Sequence, residues 1–265
     1  MTIASGIRNV ANAASSTFER TRTTKTRTPS RKTLLLKMRI LELFSGSGSL
    51  GKAARERGHD VVSLDIAPCG DYTPDFLADI LEFDYTIWHR GYFDLIWCSI
   101  PCEKFSVASA RVFSADERQA RAEEGSIIAR RTREIIDHLQ SGSTKVAIEN
   151  PASSALWKQG IFDDYNRKTV SYCMYSDWGY RKNTCVAIKG FDFEAKRCKG
   201  ECGYVRTIID LEGKVHRWHT SVAKQGVSAH TRGLGVQDRT HKRHELWRIP
   251  PKLIQDILEA AERMH

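Results

Sequence analysis

The sequence predicts an α/β protein: a doubly wound, mostly parallel sheet, with a small irregular insertion toward the C-terminus. Three observations lead to that class. Residues 39–58 read as a strand, a glycine-rich turn and a helix, the opening unit of such a sheet. A second strand, residues 60–65, ends in an acid, Asp65, about 20 residues after the turn. Two later apolar runs, residues 92–98 and 145–148, stop at prolines and carry reactive side chains at their ends, Cys102 and Glu149.

Composition sets limits on the function. The 265 residues, 41% hydrophobic and 28% charged, suit one large globular domain or a domain with a small appendage. No apolar run reaches about 18 residues, so no membrane-bound role is expected. Seven cysteines, an odd number without regular spacing, argue against a secreted disulfide framework and for a reducing, intracellular compartment. The net charge of +9 is unevenly placed. Residues 1–37 hold eight Lys/Arg and one acid, whereas the remainder holds 33 basic and 31 acidic residues. A nearly neutral body that binds nucleic acid must gather its positive charge on one face.

Residues 1–37 are rich in Ser, Thr, Ala and Arg and show no core-forming pattern before Leu34. They are expected to be a disordered basic tail. A transit peptide, a phosphate-binding arm and translation starting at Met38 are the other readings of that composition.

A catalytic domain is expected over residues 38–190. Its first turn, Ser45-Gly46-Ser47-Gly48-Ser49, lets the backbone approach a ligand. It lacks a third phosphate-binding glycine and any Gly-Lys-Ser/Thr, which excludes a nucleoside triphosphate site of that kind. A nucleoside ligand without pyrophosphate fits better, S-adenosylmethionine being the common one, with Asp65 accepting from its ribose hydroxyls. Residues 75–81 form a third short strand or loop, in which Asp79 either meets an adenine amino group or caps a helix.

Cys102 lies just past the third long apolar run, on a segment that Pro101 turns out of the sheet, a good position for a nucleophile. Cys98 falls within the strand and reads as structural. Ser114-Ala115-Asp116-Glu117 has capping-box spacing and opens a helix to about Leu139, with Ile127, Ile128, Ile135, Ile136 and Leu139 as its buried stripe. Parallel strand ends converge on one crevice, so Glu149 is expected beside Cys102. Residues 169–174 and 184–188 read as two more strands, and the turn between them brings Arg181 and Lys182 close to three aromatics.

Residues 191–244 lose periodicity and form a small basic segment for substrate recognition. Within it, Cys198, Cys202, His216 and His219 are the residue types for a tetrahedral structural zinc site, the alternative being a loop-rich region with free thiols. Residues 245–265 close the chain as an amphipathic helix led by Pro250 and Pro251, which packs back through Leu253, Ile254, Ile257, Leu258 and Ala261.

The order of these motifs resembles that of the cytosine-5 DNA methyltransferases. Residues 41–51 resemble the family's cofactor motif, Pro101-Cys102-Glu103-Lys104-Phe105-Ser106 its Pro-Cys-Gln-x-Phe-Ser nucleophile motif, and Glu149-Asn150-Pro151 its Glu-Asn-Val motif. Arg181-Lys182 stands where the family has an arginine motif. Glu103 and Pro151 depart from the family's glutamine and valine, and the C-terminal Gly-Asn cofactor motif is not recognisable.

The resemblance implies a Rossmann-like methyltransferase fold and an enzyme that methylates C5 of a cytosine flipped out of double-stranded DNA. In that scheme Cys102 is the nucleophile, Glu149 acts on N3, and Arg181 (or Lys182) stabilises O2 and the phosphate. Phe44, Ser45, Gly46, Ser47 and Gly48 would surround the methionine part of S-adenosylmethionine, Asp65 its ribose, and Asp79 with Ile80 its adenine; Pro101 completes the set. Residues 105–113 would close over the base, and the protein is expected to work as a monomer. RNA as the substrate, and a silent nucleic-acid-binding module of the same fold, are the competing readings.

Overall fold

A computed structural model describes residues 37–105, 113–209, 212–219 and 246–263. The expectations for the tail before Lys37, for most of the closing loop and for residues 220–245 lie outside the described residues.

The first strand, β1 (Arg39–Leu43), leads through the glycine-rich turn into helix α1 (Ser49–Glu56), and β2 (Asp60–Asp65) returns parallel to it. β3 (Phe76–Leu77) is only two residues long and pairs with the end of β2. β4 (Leu95–Cys98) lies on the other side of β1, then β5 (Lys145–Pro151) beside β4, all parallel. Helix α2 (Ala115–Leu139) makes the crossover between β4 and β5. Its N-terminus is the expected capping box: the Ser114 hydroxyl accepts from Glu117 N–H, and the Glu117 carboxylate accepts from Ser114 N–H.

The last two strands reverse the order. β6 (Asn166–Ser171) forms the edge, and β7 (Asn183–Lys189) inserts between it and β5, antiparallel to both. The sheet therefore runs β3-β2-β1-β4-β5-β7-β6. It is mostly parallel, as expected, and its antiparallel end has a simple cause. The 11 residues between β6 and β7 are too few for a parallel crossover with a helix, so the chain doubles back.

Successive residues along the strands serve two cores, because their side chains alternate between faces. Leu41, Ile96 and Ile148 join Ile135, Ile136 and Leu139 of α2 on one face. Ile40, Trp97 and Ala147 pack on the other face against Leu50 and Ala54 of α1 and the final helix, α3 (Pro251–Arg263). The stripe expected on α3 is the one observed: Leu253, Ile254, Ile257, Leu258 and Ala261 are all buried. On α2 one expected residue is corrected. Ile127 is 53% exposed, while Ile128 packs against the core, because Ile127 lies on the solvent side of a stripe continued by Ala129, Thr132, Ile135 and Ile136.

An ion-pair cluster ties α3 to the loop before β2. Arg57 donates to both oxygens of Glu262, at 3.0 and 2.8 Å, and His59 Nε2 lies 2.9 Å from the same carboxylate. His59 Nδ1 accepts from Met38 N–H, which leaves the ring proton on Nε2 to donate to Glu262. Burial pushes the Glu262 carboxyl upward, yet the Arg57 and His59 bonds outweigh it and hold the group below the usual range. Such a carboxylate stabilises the fold above its unfolded pKa of about 4.3, and the contribution is lost as pH falls through the lower folded value. Glu262→Gln is expected to cost about 2 kcal/mol at neutral pH and little in strong acid, read from urea denaturation midpoints at the two pH values.

The segment after β7 crosses back over the sheet, where Phe191 and Phe193 are buried. It then enters a separate two-stranded antiparallel hairpin, β8 (Val205–Ile209) with β9 (Val215–His219). The region read from sequence as irregular thus contains regular structure.

Candidate active site

The parallel strands all point their C-terminal ends at one side of the sheet, and a cavity of about 540 Å³ opens there. Along the sheet order β3-β2-β1-β4-β5, its walls begin with Ala78, Asp79 and Ile80 after β3 and Asp65 and Ile66 at the end of β2. Phe44, Ser45, Gly46 and Ser47 follow from the turn after β1, then Pro101 and Cys102 after β4 and Glu149 within β5. One continuous space therefore joins the side chains expected to bind a nucleoside, Asp65 and Asp79, to Cys102 and Glu149.

The turn after β1 is built for close approach. Phe44 has φ 59°, a left-handed conformation that is unfavourable for a bulky residue and is held here only by its surroundings. Gly46 follows at φ 50°, and its N–H donates to Asp65 Oδ2 at 2.7 Å. Asp65 Oδ1 accepts from Ile66 N–H, so the carboxylate is fixed by two backbone donors with lone pairs left for a ligand. The Ser45 hydroxyl is buried at the cavity wall without a hydrogen-bond partner among the described residues. An orphaned hydroxyl beside an oriented carboxylate fits a polar ligand such as the methionine and ribose parts of S-adenosylmethionine. The apolar Ile66, Ala78 and Ile80 offer a surface for a flat base. Asp79 Oδ1 accepts from Leu81 N–H, so it holds its own turn as well as lining the cavity.

Gly48 is placed differently from the sequence expectation, since it does not line the cavity. It takes a left-handed φ of 66° at the N-cap of α1, and a Cβ there would lie 2.4 Å from the Tyr72 ring. Its smallness serves packing. A residue the sequence reading missed is Glu42, at the cavity floor in β1, whose carboxyl burial pushes up to about 7 against the Gly51 N–H bond and the Arg55 charge.

Cys102 opens a single 3₁₀ turn, Cys102–Phe105, braced against α2. Phe105 is buried where Gly125 leaves room for its ring, and Lys104 pairs with Glu124. From the other side Asn150, fully buried in β5, donates to Ile100 C=O at 2.6 Å. This bond locks the strand bearing Glu149 to the loop bearing Cys102. Burial pushes the Cys102 thiol up, the nearby Glu149 adds to that, and Lys182 opposes both. Cys98 is fully buried in β4, its thiol pushed far up by burial, in keeping with the structural reading.

Glu149 is held by two groups. Tyr172 donates to Oε1 at 3.3 Å, and Lys182 Nζ stands 3.8 Å from the same oxygen. Lys182 also donates to Leu246 C=O and lies 4.9 Å from the centre of the Tyr172 ring. Of the adjacent pair Arg181 and Lys182, it is Lys182 that enters the cavity. Arg181 is exposed and its charge acts on His219 instead. Lys182 directly precedes β7, and its C=O accepts from Tyr172 N–H, which places it beside Tyr172 and Glu149. Trp247 and Ile249, just before α3, also line the cavity without any sequence signal marking them, and so does Ile128, which was expected only in the buried stripe of α2.

This geometry makes a testable difference between two adjacent cations. A cation near a thiolate favours it, so Lys182→Met is expected to move the pH midpoint of Cys102 alkylation upward, while Arg181→Met leaves it in place. Site-resolved mass spectrometry of iodoacetamide labelling across pH reads both. An unmoved midpoint in Lys182→Met would remove Lys182 from the site.

The zinc set expected from sequence is also changed. Cys198, Cys202 and His219 come together, but the fourth residue is Cys173, after β6, and not His216. His216 and His219 are three apart on β9, so the strand alternation directs them to opposite faces.

No family model matches the chain. It is 30% identical over 230 residues to the probable DNA (cytosine-5)-methyltransferase of Frog virus 3 (isolate Goorha), across 84% of this chain and 99% of that protein. Among solved structures it is similar to the S. pombe Dnmt2 methyltransferase, at 18% identity and TM-score 0.40, over 63% of this chain and 59% of the other. A SAM-dependent methyltransferase from Archaeoglobus fulgidus aligns at 12% identity and TM-score 0.36, over 58% and 87% of the two chains.

Proposed function

Since the chain belongs to the DNA (cytosine-5)-methyltransferase family, we propose that it transfers a methyl group to C5 of a cytosine in DNA through a covalent adduct between Cys102 and C6. The observation that carries the reading is the single cavity in which Cys102, Glu149 and Lys182 share walls with Phe44, Ser45, Asp65 and Asp79.

S-adenosylmethionine supplies the electrophilic methyl group; Ser45, Gly46, Asp65 and Asp79 are the residues that would hold it. Cytosine C5 is too weak a nucleophile to take a methyl group directly. Addition of the Cys102 sulfur to C6 makes C5 the carbon end of an enamine and so raises its reactivity. Negative charge would build on the ring during that step. The proton that the Cys102 thiol gives up passes to Glu149, which delivers or shares it at N3, while Lys182, 3.8 Å from Glu149, offsets charge on the same edge. Once C5 is methylated, loss of its proton to water re-forms the C5–C6 double bond and expels the Cys102 thiolate, which takes back the N3 proton by way of Glu149. Tyr172 orients Glu149, and Asn150 keeps the Cys102 loop against its strand. A paired base shields C6 within the stack, so the cytosine must be turned out of the duplex to reach Cys102.

The test is methyl transfer from tritiated cofactor to duplex DNA and, in parallel, to transfer RNA, followed by bisulfite sequencing of the DNA product. Label in DNA that maps to 5-methylcytosine is the expected result. Label in RNA alone would replace the substrate assignment, and label in neither would leave a binding module of the same fold.

A further inference from the structure

We propose that Cys173, Cys198, Cys202 and His219 form a structural zinc site that fastens the β8–β9 hairpin to the catalytic sheet. The four ligand atoms all lie within 4.8 Å of one another. The imidazole nitrogen His219 Nε2 faces all three sulfurs, at 3.6 Å from Cys173, 3.3 Å from Cys198 and 3.2 Å from Cys202. A tetrahedral zinc with Zn–S of about 2.3 Å and Zn–N of about 2.0 Å requires sulfur-to-nitrogen edges of about 3.5 Å. The observed spacings are those of a ligand cage around one small cation, and Cys₃His is a common structural zinc set. None of the three cysteines is in a disulfide. Gly200 N–H also points at Cys198 Sγ, at 3.3 Å, the kind of backbone bond that steadies a ligating thiolate.

The ligands come from three parts of the chain. Cys173 sits in the 3₁₀ turn after β6, Cys198 and Cys202 on the segment after β7, and His219 at the end of β9. A two-stranded hairpin is marginal by itself, and among the described residues this one pairs with no strand of the large sheet. A metal bridging it to β6 supplies the missing anchor. The anchor has a further consequence, because Cys173 directly follows Tyr172, which holds Glu149. A metal on Cys173 and His219 would thus tie the hairpin to the residue next to the one that holds Glu149. The zinc proposal stands on this cluster and does not depend on the reaction assigned above.

The experiment is metal analysis of the purified full chain, kept reduced and supplied with zinc chloride, together with single variants. A single tightly held zinc per chain is expected, lost in Cys173→Ser and Cys198→Ser and retained in His216→Ala. Cobalt reconstitution should give the intense visible bands of a tetrahedral thiolate site. Should the serine variants fail to fold, alkylation of the unaltered protein serves instead: Cys173, Cys198 and Cys202 should be protected together and released together by a chelator, while Cys69 reacts throughout. The proposal is overturned by a metal-free protein after zinc supply, by three thiols that alkylate equally with and without zinc, by a disulfide among them under reducing conditions, or by zinc that survives Cys173→Ser and is lost in His216→Ala.

Discussion

Cys102→Ser is expected to lower methyl transfer by at least about 10⁴-fold while leaving cofactor affinity within a few-fold of the parent. The asymmetry follows from where the sulfur stands. It opens a turn braced by Phe105 in the space beside Gly125 and by the Lys104–Glu124 pair, and a serine of nearly equal size preserves all of these contacts. What is lost is the proposed nucleophile, since a hydroxyl in the same surroundings is far less able to add to a pyrimidine carbon. Burial and Glu149 already push the Cys102 thiol up, so the resting group is protonated and reactivity must be drawn out by Lys182 and by the bound substrate. Equilibrium binding of the cofactor and single-turnover transfer, measured on the same preparation, separate the two effects. A serine variant that retained transfer would move the nucleophile elsewhere.

Glu149→Gln is expected to cost about 10²–10⁴-fold in the transfer step. An amide keeps the bond from Tyr172 but cannot hand over a proton at N3. It also removes the negative charge facing Lys182 at 3.8 Å and the one that helps push the Cys102 thiol up. The pH midpoint of Cys102 alkylation should accordingly fall in Glu149→Gln, although transfer is slower. That opposition, a more reactive thiol in a poorer enzyme, distinguishes loss of a proton donor from general damage to the site. If the midpoint and the rate both stayed at their parental values, Glu149 would have no part in the chemistry.

Much of this site was legible in the sequence, because its residues follow local signals. Strand ends were marked by Asp65 and by the prolines at 101 and 151, the capping box at Ser114 fixed the start of α2, and the apolar positions of α3 declared its buried face. Residues at the ends of neighbouring parallel strands had to converge, and Cys102 and Glu149 do share one cavity. What was not legible depends on single-residue phase or on distant partners. Arg181 and Lys182 are adjacent in the loop before Asn183, which carries no periodicity to tell which of them turns into the cavity. Cys173 is 25 positions before Cys198, in a stretch that reads as a strand, so no metal-binding spacing includes it. The same blindness hid Glu42, whose place between Leu41 and Leu43 gave no sign that its carboxyl would line the cavity.

The central claim is that the sulfur of Cys102 bonds to C6 of a cytosine turned out of DNA. An oligonucleotide carrying 5-fluorocytosine tests this directly, because fluorine at C5 cannot leave as a proton does and the adduct persists. With S-adenosylmethionine present, a complex stable to denaturant should form, and digestion should recover the nucleotide on the peptide that contains Cys102. A denaturant-stable complex mapped to another cysteine, or none on DNA that the same preparation methylates, would contradict the account.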